Sequence, residues 1–482
     1  HLFSSAASDV YKRQPNKLPT SAYALTVRVR LENKPGRLSR VVQIIAEHEA
    51  SLDELSLLHS DFHYKTREIT IKCRDEEHMQ DVKKSLQSME CVALLSDRDD
   101  VLHYHKGGKI SVESRLDIKT SDDLAQVYSP GVARICTLIH EDEEKAYDYT
   151  IRGTCVGIVT DGSAVLGLGN IGPKAAMPVM EGKAMLFKGF ADVEAFPICL
   201  DTQDTDQIVR TIEVISPGFA GINLEDISAP RCFEIEERLS ESLDIPVFHD
   251  DQHGTACVVL AGLSNALRIV DKKPTDVKVV ISGFGAGGVA CTRMLLAAGF
   301  RDIVPCDSAG IVYRGRPERM NPVKNELLEV TNLNNEQGSL ADALRGADVF
   351  VGVSKPGTVT PDMVKSMNRD PIVFALANPD PEILPGHLDG IARIVATGRS
   401  DYANQVNNVL CFPGLFRGAL SCRASRVTDK MKIEAAYAIA SAIGDDELRE
   451  DYIIPDPFDQ RVPELVAERV REAAIDDGVA QQ

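Results

Sequence analysis

An apolar run at residues 277–281 leads straight into Gly283-Phe-Gly-Ala-Gly-Gly288, and a helical pattern covers 289–298. A second strand-like run, 303–306, then ends at an acid, Asp307. In a dinucleotide fold the first glycine makes a tight turn and the second lets a pyrophosphate approach the backbone. The third lets the helix pack closely, with its N-terminal N–H groups aimed at the phosphates. An acid about 20 positions beyond the turn accepts hydrogen bonds from the adenosine ribose. A GxGxxG alone recurs by chance, but strand, turn, helix, strand and acid in this order predict a Rossmann-type unit. Its expected contacts are Gly283, Gly285, Ala286, Gly288 and Asp307. A carboxylate at 307 repels a 2′-phosphate, and no Arg follows at once in Asp307-Ser-Ala-Gly310, which favours NAD over NADP unless more distant basic residues compensate.

Later strand candidates repeat the pattern of apolar run and polar end. Residues 348–353 end at Ser354, 372–377 at Asn378, and 394–396 at Thr397. Ligands of open α/β sheets lie beyond the carboxyl ends of strands, so Ser354 and Asn378 join the expected cofactor site.

Upstream, strand candidates at 154–160, 195–201, 221–224 and 246–248 alternate with helical patterns, which implies α/β layering. Two of them end at acidic pairs, Glu225-Asp226 and Asp250-Asp251, and a long helical pattern over 255–270 follows the second. Acids after a strand often cap the next helix. With a dinucleotide unit directly downstream, metal binding becomes the stronger reading. Mg²⁺ or Mn²⁺ prefers carboxylate oxygen and keeps positions open for substrate, and Glu225, Asp226 and Asp251 supply three carboxylates. His249 and His253 read as structural, because the acids already satisfy a hard cation.

The first region alternates with a period of two: Leu25, Val27, Val29 and Leu31 interleave with polar residues. Asn33-Lys-Pro-Gly36 breaks that strand, and Leu38, Val41, Val42 and Ile45 follow at helical spacing. Strands at 52–58 and 68–73, a helix through Met79, Val82 and Leu86, and a strand at 91–95 complete a β-α-β-β-α-β order. That is the order of a ferredoxin-like domain. With the Asn33–Ser39 turn it resembles an ACT domain, a family that commonly senses amino acids; a domain used only for dimerisation is the plainer alternative.

Composition bounds the function. A formal charge of −19 argues against binding a phosphate backbone. No apolar stretch approaches a membrane span, and the eleven cysteines show no metal-type spacing, so a reduced, cytoplasmic setting is expected. Residues 1–18 read as a foreign leader, since HLFSSAASDVYKRQ has neither an initiator Met nor a signal-peptide core.

Seven further segments carry a resemblance: Tyr128-Ser-Pro-Gly-Val-Ala133, Thr160-Asp-Gly162, Leu166-Gly-Leu-Gly-Asn-Ile-Gly172, Glu181-Gly-Lys-Ala184, Asn223-Leu-Glu-Asp226, Phe248-His-Asp-Asp-Gln-His-Gly254 and Val406-Asn-Asn-Val-Leu-Cys-Phe-Pro-Gly414. Over about residues 109–440 the chain resembles the malic enzymes of the compact bacterial type. The resemblance implies divalent-metal-assisted oxidative decarboxylation of (S)-malate to pyruvate and CO₂ with reduction of NAD. It implies Lys183 as general base, Tyr128 as the acid that protonates the enol, and Glu225, Asp226 and Asp251 as metal ligands. It also implies Asn378, Asn408 and Asp250 as substrate contacts. A lysine base must be neutral, so its pKa is expected to fall towards neutrality through burial and a nearby cation. The plain rivals are a solvated lysine, a core tyrosine and an Asn-Pro turn. One departure stands out: Ser163-Ala164-Val165 follows the TDG motif where larger family members carry a substrate-binding arginine, so carboxylate recognition must come from elsewhere.

The implied organisation is a leader at 1–18, an ACT-like regulatory domain at 20–105 and a substrate and metal domain at 109–254. An NAD-binding domain with a helical tail follows at 255–482. Malate, a possible amino-acid effector and a second copy of the chain are the expected partners, with no nucleic acid and no membrane. The alternatives are a malolactic-type decarboxylase and a regulatory protein that keeps only ACT-ligand binding.

Overall fold

The computed structural model describes residues 18–90 and 92–482, so residues 1–17 of the leader and Cys91, where the fourth strand was expected to start, lie outside the described residues. The chain forms two compact units, divided between Ser111 and Val112.

In the first unit, β1 (Thr20–Glu32), β2 (Ser51–Ser60), β3 (Tyr64–Cys73) and β4 (Val92–Asp99) form an antiparallel sheet in the order β2-β3-β1-β4. Leu25, Val27, Val29 and Leu31 are buried as the two-residue period requires. They meet Val41 and Ile45 of the helix Arg37–Glu47, and Met79, Val82 and Leu86 of the helix Glu76–Gln87. Gly36 opens the first helix at φ 81°, a conformation that glycine adopts without penalty. The Asp75 carboxylate caps the second by accepting from the His78 N–H. The β-α-β-β-α-β order is therefore as the sequence predicts, with one added helix, Asp100–His105.

The second unit holds two parallel arrays. The smaller, β6-β5-β7-β8, contains β5 (Cys155–Thr160), β6 (Glu194–Cys199), β7 (Gly221–Leu224) and β8 (Val247–His249). The larger runs β11-β10-β9-β12-β13-β14, with β9 (Lys278–Ser282), β10 (Asp302–Asp307), β11 (Gly310–Ile311), β12 (Val349–Gly352), β13 (Ile372–Ala375) and β14 (Ile394–Thr397). Only the two-residue edge strand β11 is antiparallel. From β9 the chain moves outward to β10 and then returns to β12 on the other side. The β9/β12 crevice is thus a topological switch point, where such sheets bind ligands.

The helix Asp250–Ile269 joins the arrays and is buried over most of its length, which fits its nearly all-round apolar sequence. It starts five residues earlier than the periodicity predicts, because polar Asp250 to Gly254 hide its first turn. Phe187, Phe248, Phe412 and Phe416 fill the space beside it, with Phe187 4.8 Å from Phe412 and 5.3 Å from Phe416, both edge-on. The tail carries the helix Arg461–Asp476, whose Val466 and Ala467 press on Gly414 and Gly418 of the helix Phe412–Ser421. The acidic tail is part of the core wall.

Phe187 lies one turn from Lys183 on the helix Pro173–Ala191. Phe187→Ala is expected to destabilise the protein by about 3–5 kcal/mol through lost burial and a cavity. A urea midpoint equal to that of the parent protein would contradict this packing.

Candidate active site

A cavity of about 590 Å³ opens where the strand ends of the two arrays face one another in the second unit. Lys183, Glu225, Asp226, Asp250, Asp251, Ala286, Ser354, Asn378 and Asn408 all line it. Lys183 reaches it from the helix Pro173–Ala191, Glu225 and Asp226 from the end of β7, and Asp250 and Asp251 from the first turn of Asp250–Ile269. That first turn also gives both aspartates the favourable field of a helix N-terminus, although no side chain caps it with a hydrogen bond.

Lys183 is buried, with its Nζ 2.5 Å from Asp250 Oδ2, 3.0 Å from Glu225 Oε1 and 4.0 Å from the centre of the Phe412 ring. Asn223 Nδ2 donates to the other Glu225 oxygen at 2.9 Å. The Asp226 N–H donates to Asp251 Oδ2 at 2.8 Å, which ties the two acidic pairs together. Asp226 stands at φ 55°, a region aspartate tolerates, and its carbonyl accepts from the Ala164 N–H of the TDG loop. Asn408 Nδ2 donates to Asp250 Oδ2 at 3.1 Å.

Four carboxylates crowd one ammonium. Burial first, then the charge of Asp251, pushes the Asp226 carboxyl up to about 8. Burial pushes Glu225 up as well, against the opposing pull of Lys183. For Lys183 burial acts downward, but the charges of Asp250 and Glu225 outweigh it and the net shift is upward. The protein's own carboxylates favour the ammonium form, and the expected fall towards neutrality counts on a nearby cation as well as on burial. Asp226 Oδ2 and Asp250 Oδ1 are buried without a hydrogen-bond partner. Among the described residues no three acidic, His or Cys side chains form a closed metal cage, since Glu225 is turned to Lys183 and Asp251 to the Asp226 N–H. The donor chemistry nevertheless fits a hard cation: four mutually repelling carboxylates line one cavity, and two of their oxygens lack a hydrogen-bond partner.

A second cavity of about 620 Å³ is lined by Gly283, Gly285, Asp307 and Ser354. Gly283 sits at φ 102°, and a Cβ there would meet the Val353 carbonyl at 2.4 Å. At Gly288 a Cβ would lie 2.0 Å from the Gly283 carbonyl, which is the close packing demanded of the third glycine. Asp307 is not a free carboxylate. It accepts from the Ala309 N–H, from both terminal nitrogens of Arg316 and from Lys324 Nζ. Burial would raise its pKa, but Arg316 and Lys324 bring it down to about 2. The repulsion inferred from Asp307 alone is therefore offset by two buried cations 9 and 17 residues downstream, beyond the stretch the sequence argument covered.

Tyr128 is the expected residue that the structure does not bring in. It ends the helix Ser121–Val127, is 68% exposed and does not line the cavity. No arginine lines the cavity either; Arg231, the nearest to the TDG loop, donates to Asp161 Oδ2 at 2.8 Å and to Ser163 Oγ at 3.1 Å. The sequence reading missed Asn223, Phe412 and Glu236. Glu236 is a half-buried carboxylate that accepts from the His249 N–H and faces His253 Nε2 at 2.9 Å, bracing the turn that carries Asp250 and Asp251. Its glutamates and arginines in a polar helical run look like a solvated face, so no local signal marks it. Neither His249 nor His253 lines the cavity: His253 faces Glu236, and His249 is buried with neither ring nitrogen hydrogen-bonded.

Comparison with known proteins matches residues 107–240 to the malic enzyme N-terminal domain and residues 252–384 and 390–475 to the malic enzyme NAD-binding domain. The chain belongs to the malic enzyme family. Residues 19–94 match an ACT domain. An NAD-dependent malic enzyme of Geobacillus stearothermophilus is 53% identical over 462 residues, 96% of each chain. A bifunctional malic/malolactic enzyme of Bacillus subtilis is 56% identical over 80% of this chain and 95% of its own. The crystal structure of an NAD-dependent malic enzyme from Thermotoga maritima superposes with a TM-score of 0.75 at 47% identity, covering 78% of this chain and 99% of its own.

The electrostatics give a signed expectation. A carboxyl raised to about 8 in the fold, as at Asp226, favours the protonated folded state. Its contribution is full below the unfolded carboxyl pKa and is lost as pH rises through about 8. Glu225 acts in the same direction. In chelator-treated protein, stability is therefore expected to fall between about pH 4 and pH 8, and added Mn²⁺ to raise the melting temperature more at pH 8 than at pH 5. Equal Mn²⁺ shifts at both pH values would contradict this site.

Proposed function

We propose that the protein is an NAD-dependent malic enzyme that oxidatively decarboxylates (S)-malate to pyruvate and CO₂, with Lys183 as general base. The observation that carries the reading is a single buried lysine among Glu225, Asp250 and their neighbours, in a cavity lined also by Ala286 of the glycine turn. When bound, a divalent cation held by Glu225, Asp226 and Asp251 supplies Lewis-acid polarisation of a substrate oxygen, and NAD accepts the hydride.

Lys183 takes the proton of the substrate's C2 hydroxyl, and its neighbours prepare it to do so. A cation on Glu225 would offset part of the carboxylate charge that faces Lys183, and so weaken the pull that keeps the amine protonated. Asp250 and the Phe412 ring keep the amine aimed into the cavity. Asn378 and Asn408 offer amides at the cavity wall, and Asp250 is itself held by Asn408. Gly283, Gly285 and Ala286, in the turn that Gly288 closes, would hold NAD, with Ser354 at the junction of the two cavities.

Tyr128 enters the reading through a homodimer. The three helices Ser121–Val127, Val132–Glu141 and Lys145–Tyr149 bury no residue of their own, and Leu124, Val127, Val132 and Tyr149 are exposed with Tyr128. A second copy of the chain covers this face and receives Tyr128 as the acid that protonates the enol. The domain division is 20–105 for an allosteric ACT domain, 109–254 for substrate and metal, and 255–482 for NAD. In the first unit a cavity of about 340 Å³ at the Asn33–Gly36 turn, lined by Lys65 and Arg67, suits the carboxylate of an amino-acid effector. Ten free cysteines among the described residues suit a reduced, cytoplasmic setting.

A malolactic reaction is the second reading, favoured by the Bacillus subtilis relative's own name. Malate, Mn²⁺ and NAD should give NADH and pyruvate in equal amounts; lactate without net NADH would support the second reading instead. Lys183→Ala should lower turnover by at least about 100-fold while NAD still binds in a fluorescence titration. Near-normal turnover would remove Lys183 from the base role. Mixing Lys183→Ala with Tyr128→Phe subunits should restore part of the activity that each homodimer lacks, and no recovery would place Tyr128 in the site of its own chain.

A further inference from the structure

The mechanism leaves unused one fully buried carboxylate in the dinucleotide half of the unit. Glu382 has no exposed surface and follows the Asn378-Pro379 turn after β13. Its Oε1 accepts from the Ser354 N–H at 2.7 Å and from the Ser354 hydroxyl at 2.9 Å. Its Oε2 accepts from the Ala377 N–H at 3.0 Å. One side chain therefore clamps the loop after β12 to the loop after β13. The clamp is backed by main-chain bonds, from Val359 N–H to the Glu382 carbonyl at 3.1 Å and from Gly357 N–H to the Pro381 carbonyl at 3.2 Å. At Gly352 a Cβ would lie 2.5 Å from the Glu382 carboxyl carbon, so the end of β12 is left bare for this group.

What the clamp holds matters more than the clamp. Ser354 lines both cavities, while Ala377 and Asn378 line the first. These loops form one wall of the β9/β12 crevice, and the Gly283 turn forms the other. A dinucleotide laid along the glycine turn passes Ser354 on its way from the Asp307 cavity to the Lys183 cavity. We propose that Glu382 is a positioning residue that fixes Ser354 and Ala377-Asn378 so that the nicotinamide half of NAD meets the substrate. The inference rests on the NAD-dependent reading above. It concerns the junction of the cavities and leaves the adenosine end and the carboxylate cluster untouched.

Glu382→Gln is the direct test, because both oxygens accept and an amide can replace only one of them. The other position would oppose a buried N–H of Ser354 or Ala377. The expected result is a split: kcat falls by about 10- to 100-fold and NAD binds more weakly by calorimetry. ADP-ribose, which lacks the nicotinamide, and Mn²⁺, followed by its EPR signal, bind as in the parent protein. Unchanged kcat and NAD affinity would overturn the proposal. So would a parallel loss of NAD, ADP-ribose and Mn²⁺ binding together with melting temperature, which marks a residue of general stability. Should Glu382→Gln fail to fold, Ser354→Ala removes one donor to the clamp and decides the matter. A drop in kcat with ADP-ribose affinity intact supports the proposal, and parental kcat refutes it. Absence of NADH formation in the parent protein would instead refute the NAD-dependent reading, so the two failures are distinguishable.

Discussion

The active cavity depends on one buried ammonium set against several carboxylates. Lys183 pairs with Asp250 and Glu225 at 2.5 and 3.0 Å, and burying such charges costs several kcal/mol per ion unless each is well matched. The match is incomplete, since two carboxylate oxygens face no donor. The fold holds this arrangement because its carriers are stiff. Lys183 sits on a helix anchored by Phe187, the acids stand at the ends of β7 and β8, and Asp250–Ile269 is buried against both arrays. A cluster that repels itself and is held in place by an apolar frame is prepared for a cation.

The same unit solves a second positioning problem. Ala286 and Ser354 line the carboxylate cavity, while Gly283, Gly285 and Ser354 line the dinucleotide cavity. Glycine, alanine and serine thus stand where the two cavities meet. Charge enters at the two ends: acids around Lys183, and Arg316 with Lys324 around Asp307. Around Asp307 two cations face one carboxylate, so the charge there is a balance of three groups and not that of the acid alone.

Much of this was legible in the sequence because the informative signals are local. Two-residue alternation gave β1, the glycine turn gave the β9 crevice, and the acidic pairs marked the ends of β7 and β8. The carboxylate set and Lys183 do share one cavity, though they lie up to 68 residues apart. What the sequence could not show depends on tertiary neighbours. The upward shift at Lys183 needs the distances to Asp250 and Glu225. The Arg316–Asp307–Lys324 cluster needs the fold of an irregular loop, and Glu236 and Glu382 read as ordinary polar residues until their hydrogen-bond partners are seen. Tyr128 was named by a motif, and in its own chain it is exposed and lines no part of the cavity, a placement that the motif could not show.

The central claim is that Glu225, Asp226 and Asp251 together grip one divalent cation beside Lys183. Crystals grown with Mn²⁺, NAD and malate test it through the anomalous signal of manganese. The account predicts one peak within about 2.0–2.4 Å of oxygens from all three carboxylates, with Glu225 turned away from Lys183. A peak held by other residues, or none in this cavity while malate is bound, would contradict it.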